Sequence, residues 1–313
     1  MSDEFEPRTE RARLAVAGAR SATMAALHDR PTGEAVRSLI FQALIMFAVS
    51  IALIGLAALL IDAFVEGEGS LSLNLLTEPT SRDADNAGFR TAILGSLWLI
   101  GGVVLLVVPL GVGAAIYLEE YANRERWWNR LIELNIQNLA GVPSIVYGIL
   151  GLAFIVRGPL DLGFVLAAGS MTLALLVLPT VIIAAREAIR AVPPSIREGS
   201  MALGATQWQT VRHQVLPAAV PGILTGVILA ISRAFGEAAP LLLLGAATFV
   251  TADPSDPFSG DFTALPVLIF EQAKQAQSEL RELAAAGIIV MLAVLLAMNS
   301  FAIWLRNRYE QRW

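Results

Sequence analysis

The sequence predicts an all-α, polytopic membrane protein with about six transmembrane helices. Of its 313 residues, 56% are hydrophobic and only 16% are charged, which is more apolar than a typical soluble domain. Six apolar runs are long enough to cross about 30 Å of hydrocarbon at ~1.5 Å per residue. They cover residues 39–64, 91–118, 131–156, 160–185, 218–244 and 284–305. The alternative, buried helices of a large soluble protein, is disfavoured by so many long runs.

The ends of the chain and its loops predict the domain organisation. Residues 1–38 are polar and rich in arginine, and the apolar run that follows is too long for a signal-peptide core, so we expect a retained cytoplasmic tail. Residues 39–90 are predicted to form the first transmembrane helix and an outward loop, 91–306 the main membrane domain, and 307–313 a second cytoplasmic tail. The third run is the least regular, because its start is interrupted by Asn135, Gln137, Asn138, Gly141 and Pro143.

Charged residues predict the orientation of the chain. Arginines are concentrated in the N-terminal tail, in residues 119–130, in residues 186–217 and at the C-terminus. The links at 65–90 and 251–282 instead carry a surplus of acids. By the positive-inside rule, both termini and residues 186–217 face the cytoplasm, and six spans satisfy that parity.

Residues 186–217, called the insert below, form a long polar segment between two apolar runs. Pro193 and Pro194 are expected to stop the preceding helix, because proline lacks the amide donor and clashes with the turn before it. Ser195 is then expected to cap a new helix, with Glu198 as its capping-box partner. After the insert, Pro217 is expected to restart the chain into the membrane.

The insert also carries apolar residues among polar ones. Leu203, Trp208 and Val211 are predicted to form an apolar side that fits the groove of a soluble partner. The alternative is a helix that lies on the lipid headgroups.

The spacing within the insert resembles the EAA loop of ABC importer permeases. That pattern is Glu-Ala-Ala, three residues, Gly, nine residues, and then Ile-x-Leu-Pro. Here Glu198, Gly204, Leu216 and Pro217 match, whereas the two alanines and the isoleucine are replaced by Gly199, Ser200 and Gln214. The resemblance implies a coupling helix that docks on a cytoplasmic ATPase. The residues that it implicates in coupling are Glu198, Gly204, Ala205, Leu216 and Pro217.

Further motifs resemble the PstA family of phosphate ABC transporter permeases, over roughly residues 88–305. They are PLG at 109–111, AAIYLEEYA at 114–122, NLAGVPSIVYG at 138–148, LP at 178–179, AVP at 191–193 and SRAFGEAAPLL at 232–242. The related PstC family shares the arginine, glycine and glutamate pattern, but the APLL continuation favours PstA.

This resemblance implies a type I ABC importer permease fold and a function. The chain would form half of the pathway of an ATP-driven importer for inorganic phosphate in the bacterial plasma membrane. The implied partners are a PstC-like permease, two copies of a PstB-like ATPase and an extracytoplasmic phosphate-binding protein, with no nucleic acid. No cofactor is expected in this chain, because ATP and Mg²⁺ would be bound by the ATPase.

One arginine in the fifth run predicts a polar path. Arg233 lies 12 residues after Pro221, about 18 Å along a helix, and an arginine at mid-membrane costs at least about 2.5 kcal/mol. Glu237, four residues later, lies on the same face and can form an ion pair with it. Either the pair contacts a translocated phosphate, or it only orients the helix. The resemblance favours the first reading, and Gly236 and Pro240 are expected to break the helix there.

Two other features of the apolar runs carry weaker predictions. Ser144 and Tyr147 of the third run are expected to line the path with hydroxyls, although Pro143 and its neighbours also fit a packing role. Gly222 and Gly226 form a small-xxx-small pair, which predicts a helix contact, in one reading with a partner permease.

Several chemistries are excluded by what the sequence lacks. With no cysteine there is no disulfide, thiolate metal site or cysteine nucleophile. The single lysine, Lys274, lies outside any glycine-rich phosphate loop, so this chain cannot use ATP in that way and an ATP-driven transporter needs a separate ATPase. His28 and His213, the only histidines, both fall in cytoplasmic segments and do not suggest a zinc site. The alternatives that stay open are a transporter or channel for anions that works without an ATPase, and an ABC permease for another oxyanion. A membrane-embedded enzyme is disfavoured, because the sequence offers no nucleophile paired with a general base.

Overall fold

The computed structural model describes residues 32–309 except 82, 84–85, 124 and 247–249, and these residues form helices and no strand. The chain divides into two compact units between Asp62 and Ala63. The division falls inside the first helix, α1. The helices are α1 (Thr32–Gly67), α2 (Asn74–Thr77), α3 (Arg90–Ile116), α4 (Trp127–Ala140), α5 (Ser144–Leu150), α6 (Leu166–Arg190), α7 (Pro194–Ala202), α8 (Gln207–Thr210), α9 (Leu216–Phe235), α10 (Ala239–Leu243), α11 (Leu265–Ala273) and α12 (Ser278–Tyr309).

Three helices continue as π-helical segments, in which the turns are wider. These segments are Tyr117–Tyr121 after α3, Gly151–Val156 after α5, and Val211–Val215 between α8 and α9. The last one joins α8 to α9, so a single helical rod runs over Gln207–Phe235. The sequence predicts that Pro217 restarts the chain into the membrane. In the structure, Pro217 lies inside this helical rod and does not restart a helix. The wider turn before it accommodates a residue without an amide donor.

Within the described residues, five helical segments are long and apolar enough to cross a membrane. They cover Val36–Ser70, Arg90–Tyr121, Leu166–Arg190, Gln207–Phe235 and Ser278–Arg308. The runs predicted at these places are confirmed, with ends that differ by several residues: most helices extend into flanking polar residues, whereas the fourth begins only at Leu166. The fifth run is the exception at its C-terminal end, since its helix stops at Phe235 and does not reach residue 244.

The third predicted span is not one straight helix. Trp127–Ala140 and Ser144–Val156 are bent by 108° at the break between them. The cause lies in the break itself, where Pro143 is held at φ −57° and ψ 139° and has no amide to continue the hydrogen-bond ladder. The apolar run predicted at 131–156 is therefore a bent pair of helices, broken where its irregular start and Pro143 indicate, and its charged residues lie only in the first half.

Close glycine contacts fix the directions of the helices in the second unit. A Cβ on Gly102 would lie 2.8 Å from Cβ of Ser170, and one on Gly111 would lie 3.3 Å from Cβ of Val181, so α3 and α6 run in the same direction. A Cβ on Gly226 would lie 2.3 Å from that of Ala184, in an antiparallel α6–α9 pair. The predicted small-xxx-small contact is therefore made within this chain, against α6.

Because α3 and α6 are parallel, the bent pair must carry the chain from the end of α3 back to the start of α6. Gly151 fits this path, since a Cβ on it would lie 2.3 Å from Oγ1 of Thr172, in the second turn of α6. The pair is thus a broken crossing of the bundle. Below, the end of the bundle that holds residues 191–207 is called the insert end, and the other the far end.

Candidate functional site

Arg233 and Glu237 form the charged pair that their spacing predicts. Nε of Arg233 lies 3.7 Å from Oε1 of Glu237, and their side chains are 53% and 19% exposed. Arg233 stands in the last turn of α9, which ends at Phe235. The guanidinium is thus open on the surface of this chain, while its carboxylate partner is mostly covered.

The depth of Arg233 follows from the register between α9 and α12. Thr225 accepts a hydrogen bond from Nη1 of Arg306 at 3.1 Å, and Ser232 donates to Oδ1 of Asn299 at 2.8 Å. Arg306 lies at the polar end of α12, close to the insert end. Arg233 is eight residues beyond Thr225, or ~12 Å deeper along the helix axis. It therefore lies within the apolar part of the bundle.

The helix breaks within this pair, between Arg233 and Glu237. Gly236 and Glu237 interrupt the helix and α10 restarts at Ala239, as Gly236 and Pro240 predict. The amides of Gly236 and Glu237 donate to the carbonyls of Arg233 and Ala234 at 3.2 and 3.3 Å, so neither amide is offered to a ligand. The polar group that the break presents is the carboxylate of Glu237.

The third-run candidates lie beside this break. A Cβ on Gly148 would lie 2.7 Å from Cα of Pro240, so α5 packs directly on α10. Tyr147 is buried and donates its hydroxyl to the carbonyl of Leu139 at 2.9 Å. Ser144 is half-buried at the first position of α5. The structure thus places the helix of Tyr147 beside the break that contains Glu237. The hydroxyl proton of Tyr147 is already used in the hydrogen bond to Leu139.

The insert folds as two short helices joined by a tight turn. Helix α7 begins at Pro194, with Pro193 as its N-cap and no side-chain capping bond. The predicted cap at Ser195 with Glu198 is therefore wrong, because Pro194 already has the φ that a first helical residue needs. The capping box of the insert lies at the start of α8, between Thr206 and Gln209.

Gly204 makes the turn between these helices. Its φ is +88°, in the left-handed region that L side chains rarely adopt, and the space around a Cβ there is open. Ala205 follows it and donates its amide to the carbonyl of Ser200 at 3.2 Å. The hydroxyls of Ser200 and Thr210 are 2.9 Å apart and join the two helices, so the serine that departs from the EAA pattern has a partner here.

The surface of the insert is apolar at its tip. Leu203 is 92% exposed, and Met201 and Trp208 are also exposed, whereas Val211 is buried against the bundle. The predicted apolar side is therefore correct for Leu203 and Trp208 and wrong for Val211. Glu198 is exposed on α7, and Leu216 and Pro217 are half-buried where α9 begins.

A network of ion pairs holds the base of the insert. Nε of Arg186 contacts Oε1 of Glu119 at 2.8 Å, and its Nη2 contacts Glu133 at 2.7 Å. Arg190 adds a contact to Glu119 at 2.7 Å, and Arg197 contacts Glu120 at 2.8 Å. From the sequence, these arginines predict only the orientation of the chain. Their ion-pair partners could not be predicted, because they are 53 to 77 residues away along the chain.

Comparison with known proteins decides the family. The family model for binding-protein-dependent transport system inner membrane components matches residues 107–313. The chain belongs to this family. The matched region contains the insert, the charged pair and the whole ion-pair network.

Individual permeases are similar over most of their length. The probable ABC transporter permease protein YqgI of Bacillus subtilis is 32% identical over 278 residues, covering 83% of this chain and 92% of that one. The phosphate transport system permease protein PstA of Haemophilus influenzae is 33% identical over 255 residues, covering 81% and 88%. The predicted resemblance to the PstA permeases is confirmed.

Solved structures agree on the fold of the permease. The bacterial alginate ABC transporter, crystallised with an alginate pentasaccharide-bound periplasmic protein, superposes with a TM-score of 0.65 at 17% identity. The alignment covers 90% of this chain and 98% of that one. The predicted importer-permease fold is confirmed, and the chain is a multi-pass membrane permease.

Proposed function

We propose that this permease is one of two membrane subunits of an ATP-driven importer for inorganic phosphate. The observation that carries the proposal is Arg233, a half-exposed guanidinium inside an apolar crossing, in a chain whose relatives include PstA phosphate permeases. A guanidinium offers a planar fork of donors that fits the oxygens of a tetrahedral anion.

Glu237 gives the site its reversibility. In the empty pathway its carboxylate pairs with Arg233 and offsets the cost of an isolated charge in low dielectric. An arriving phosphate competes for the guanidinium, and the carboxylate regains it when the anion leaves. Ser144 and Tyr147 line the same region, where the oxygen of Tyr147 can serve only as an acceptor because its proton is donated to the carbonyl of Leu139.

The insert is the docking surface for the ATPase. Leu203 and Trp208 form the exposed apolar tip that enters a groove of that subunit. Glu198, Gly204 and Ala205 shape the coupling turn, and Leu216 and Pro217 join it to the crossing α9. ATP binding closes the paired ATPases, and the insert converts that closure into exchange between inward-facing and outward-facing states.

The complete transporter then has defined parts. A PstC-like permease supplies the other half of the path, two PstB-like ATPases bind ATP and Mg²⁺, and a phosphate-binding protein delivers the anion from outside. This chain carries no cofactor, performs no catalysis and binds no nucleic acid. It lies in the bacterial inner membrane with both termini and the insert in the cytoplasm, as the arginine distribution requires.

The test is to co-express the four proteins, reconstitute them in vesicles and follow uptake of labelled phosphate. We expect uptake that requires ATP, the ATPase and the binding protein, and ATP hydrolysis stimulated by phosphate above sulfate. Stimulation by sulfate alone would assign the permease to another oxyanion. Uptake that follows an imposed ion gradient without the ATPase would contradict the proposal.

A further inference from the structure

Both short helices of the insert contact the same residue at the end of α3. Arg197 of α7 donates from Nε and Nη2 to Oε1 of Glu120, at 3.0 and 2.8 Å. Gln207 of α8 donates from its side-chain amide to the backbone carbonyl of Glu120. The side chains of Arg197 and Glu120 are mostly buried. Solvent therefore screens this pair far less than an exposed ion pair.

Arg197 also crosses the bend between α6 and α7. Its Nη1 donates to the carbonyl of Val192 at 2.7 Å, and its Nη2 to that of Ile189 at 2.9 Å. One guanidinium thus joins the last turn of α6, the bend and the end of α3. Hydrogen bonds from a charged donor are roughly twice as strong as neutral ones, so the bend cannot open without losing strong contacts.

The two neighbouring carboxylates at the end of α3 form ion pairs with arginines of different helices. Glu119 is bound by Arg186 and Arg190 of α6, whereas Glu120 is bound by Arg197 of α7. Both acids lie in the π-helical segment Tyr117–Tyr121, a kind of turn that occurs often at functional sites. Motion of α7 therefore reaches α3 through Glu120, while Glu119 keeps α3 fixed to α6.

Resting on the function proposed above, we infer that Arg197 and Glu120 are positioning residues that transmit the movement of the ATPase-bound insert to α3. Without them, the direct connection between α7 and α6 is the bend at residues 191–193, while the Ser200–Thr210 contact joins α7 to α8 and not to α3. A push on the insert would then be absorbed by rotation at that bend. The Arg197–Glu120 contact instead converts the movement of the insert into a displacement of α3, the crossing that packs along α6.

The test compares Glu120→Gln and Arg197→Gln with the wild type in reconstituted full transporter. The measured quantity is phosphate taken up per ATP hydrolysed, with ATPase co-purification as the check on assembly. We expect the ratio to fall at least about fivefold, the lower end of typical coupling between sites, with the ATPase still bound. The double variant should be no worse than the poorer single variant, because both remove the same contact.

Glu271→Gln is the matched control, since it removes the Lys274 ion pair at the far end and should leave the ratio unchanged. Gln207→Ala removes the second contact to Glu120 without changing any charge. Because the side chain of Gln207 is exposed, this variant should assemble, and its ratio can be measured even if the charged variants fail to assemble. It should lower the ratio in the same direction.

An unchanged ratio in Gln207→Ala and in every charged variant that assembles would overturn the inference. A wild-type complex that hydrolyses ATP without taking up phosphate would overturn the proposed function, and the inference with it.

Discussion

Arg233 shows how a single residue sets the chemistry of an apolar crossing. Its guanidinium is half exposed on this chain, yet it lies ~12 Å beyond the level of Arg306 by the helix rise. A charge at that depth faces a cavity, a partner or another charge, because lipid does not stabilise it. Glu237 provides one such partner and leaves most of the donors of Arg233 open.

Arg233→Gln is expected to abolish phosphate uptake while the complex still assembles. Each hydrogen bond to a charged group contributes about 1.5–3 kcal/mol, so its loss weakens anion binding by at least about tenfold. Uptake by vesicles and co-purification of the ATPase are the measurements. Arg281→Gln, which removes an exposed arginine at the far end, is the control and should transport normally. Normal uptake by the Arg233 variant would refute its role in transport.

Gly204 sets the geometry of the coupling turn through its backbone alone. Its φ of +88° costs an ordinary L residue about 1–2 kcal/mol, and no neighbouring atom limits the space for a side chain. Gly204→Asp is expected to lower ATPase co-purification chiefly because it adds a charge to the exposed apolar tip beside Leu203. Gly204→Asn should be milder than Gly204→Val, because asparagine tolerates this conformation better.

Gly199→Ala is the control for this series. Gly199 lies within helix α7 with open space around it, so alanine should preserve binding of the ATPase. Wild-type co-purification of the ATPase with Gly204→Val would count against docking through this turn.

The residue-scale features differ in how far the sequence predicts them. The pairing of Arg233 with Glu237 follows from a spacing of four residues, and the turn at Gly204 follows from a motif. The contacts of Glu120 with Arg197 and Gln207 do not, since they join residues 77 and 87 positions apart. Ser195 was expected to cap α7, but Pro194 starts the helix by its fixed φ, a choice that local pattern alone does not decide.

At the scale of elements, hydropathy predicts where the crossings are but not where they bend. The bend of 108° at Gly141–Pro143 and the break at Gly236 both leave apolar residues on either side, so a hydropathy window does not detect them. Proline and glycine in the sequence mark these places, and the packing of α5 on α10 brings the two breaks together. The path proposed for the anion thus lies where the crossings are least regular.

The contact of α9 with α6 depends on small side chains at Gly226 and Ala184. Because a Cβ on Gly226 would lie 2.3 Å from that of Ala184, Gly226→Ala is expected to lower stability by about 1–3 kcal/mol through overpacking. Thermal unfolding of the purified permease in detergent measures this.

Adding Ala184→Gly to that variant should restore part of the lost stability, since it returns the space. Gly113→Ala is the control, as open space surrounds that residue in α3. A Gly226→Ala protein as stable as Gly113→Ala would contradict this packing.

At the scale of the whole molecule, the direction of each crossing determines which chemistry meets which partner. The second unit runs through α3, the broken pair, α6, α9 and α12, in alternating directions. This order leaves the insert and the end of α12 at one end, and the acidic loop of residues 251–261 at the other. Under the function proposed above, the ATPase and the phosphate-binding protein would act on opposite ends, as import requires.

Single cysteines test this order directly, because the chain has none of its own. Ser259→Cys and Asp161→Cys, both at exposed positions of the far end, should react with a membrane-impermeant maleimide in intact cells. Gly199→Cys in the insert and Ser21→Cys in the N-terminal tail should react only after the membrane is permeabilised. Asp161 is the decisive position, since it follows the broken pair and precedes α6. If it were labelled only from inside, the pair would be a re-entrant loop, and the acidic loops could not all face the binding protein.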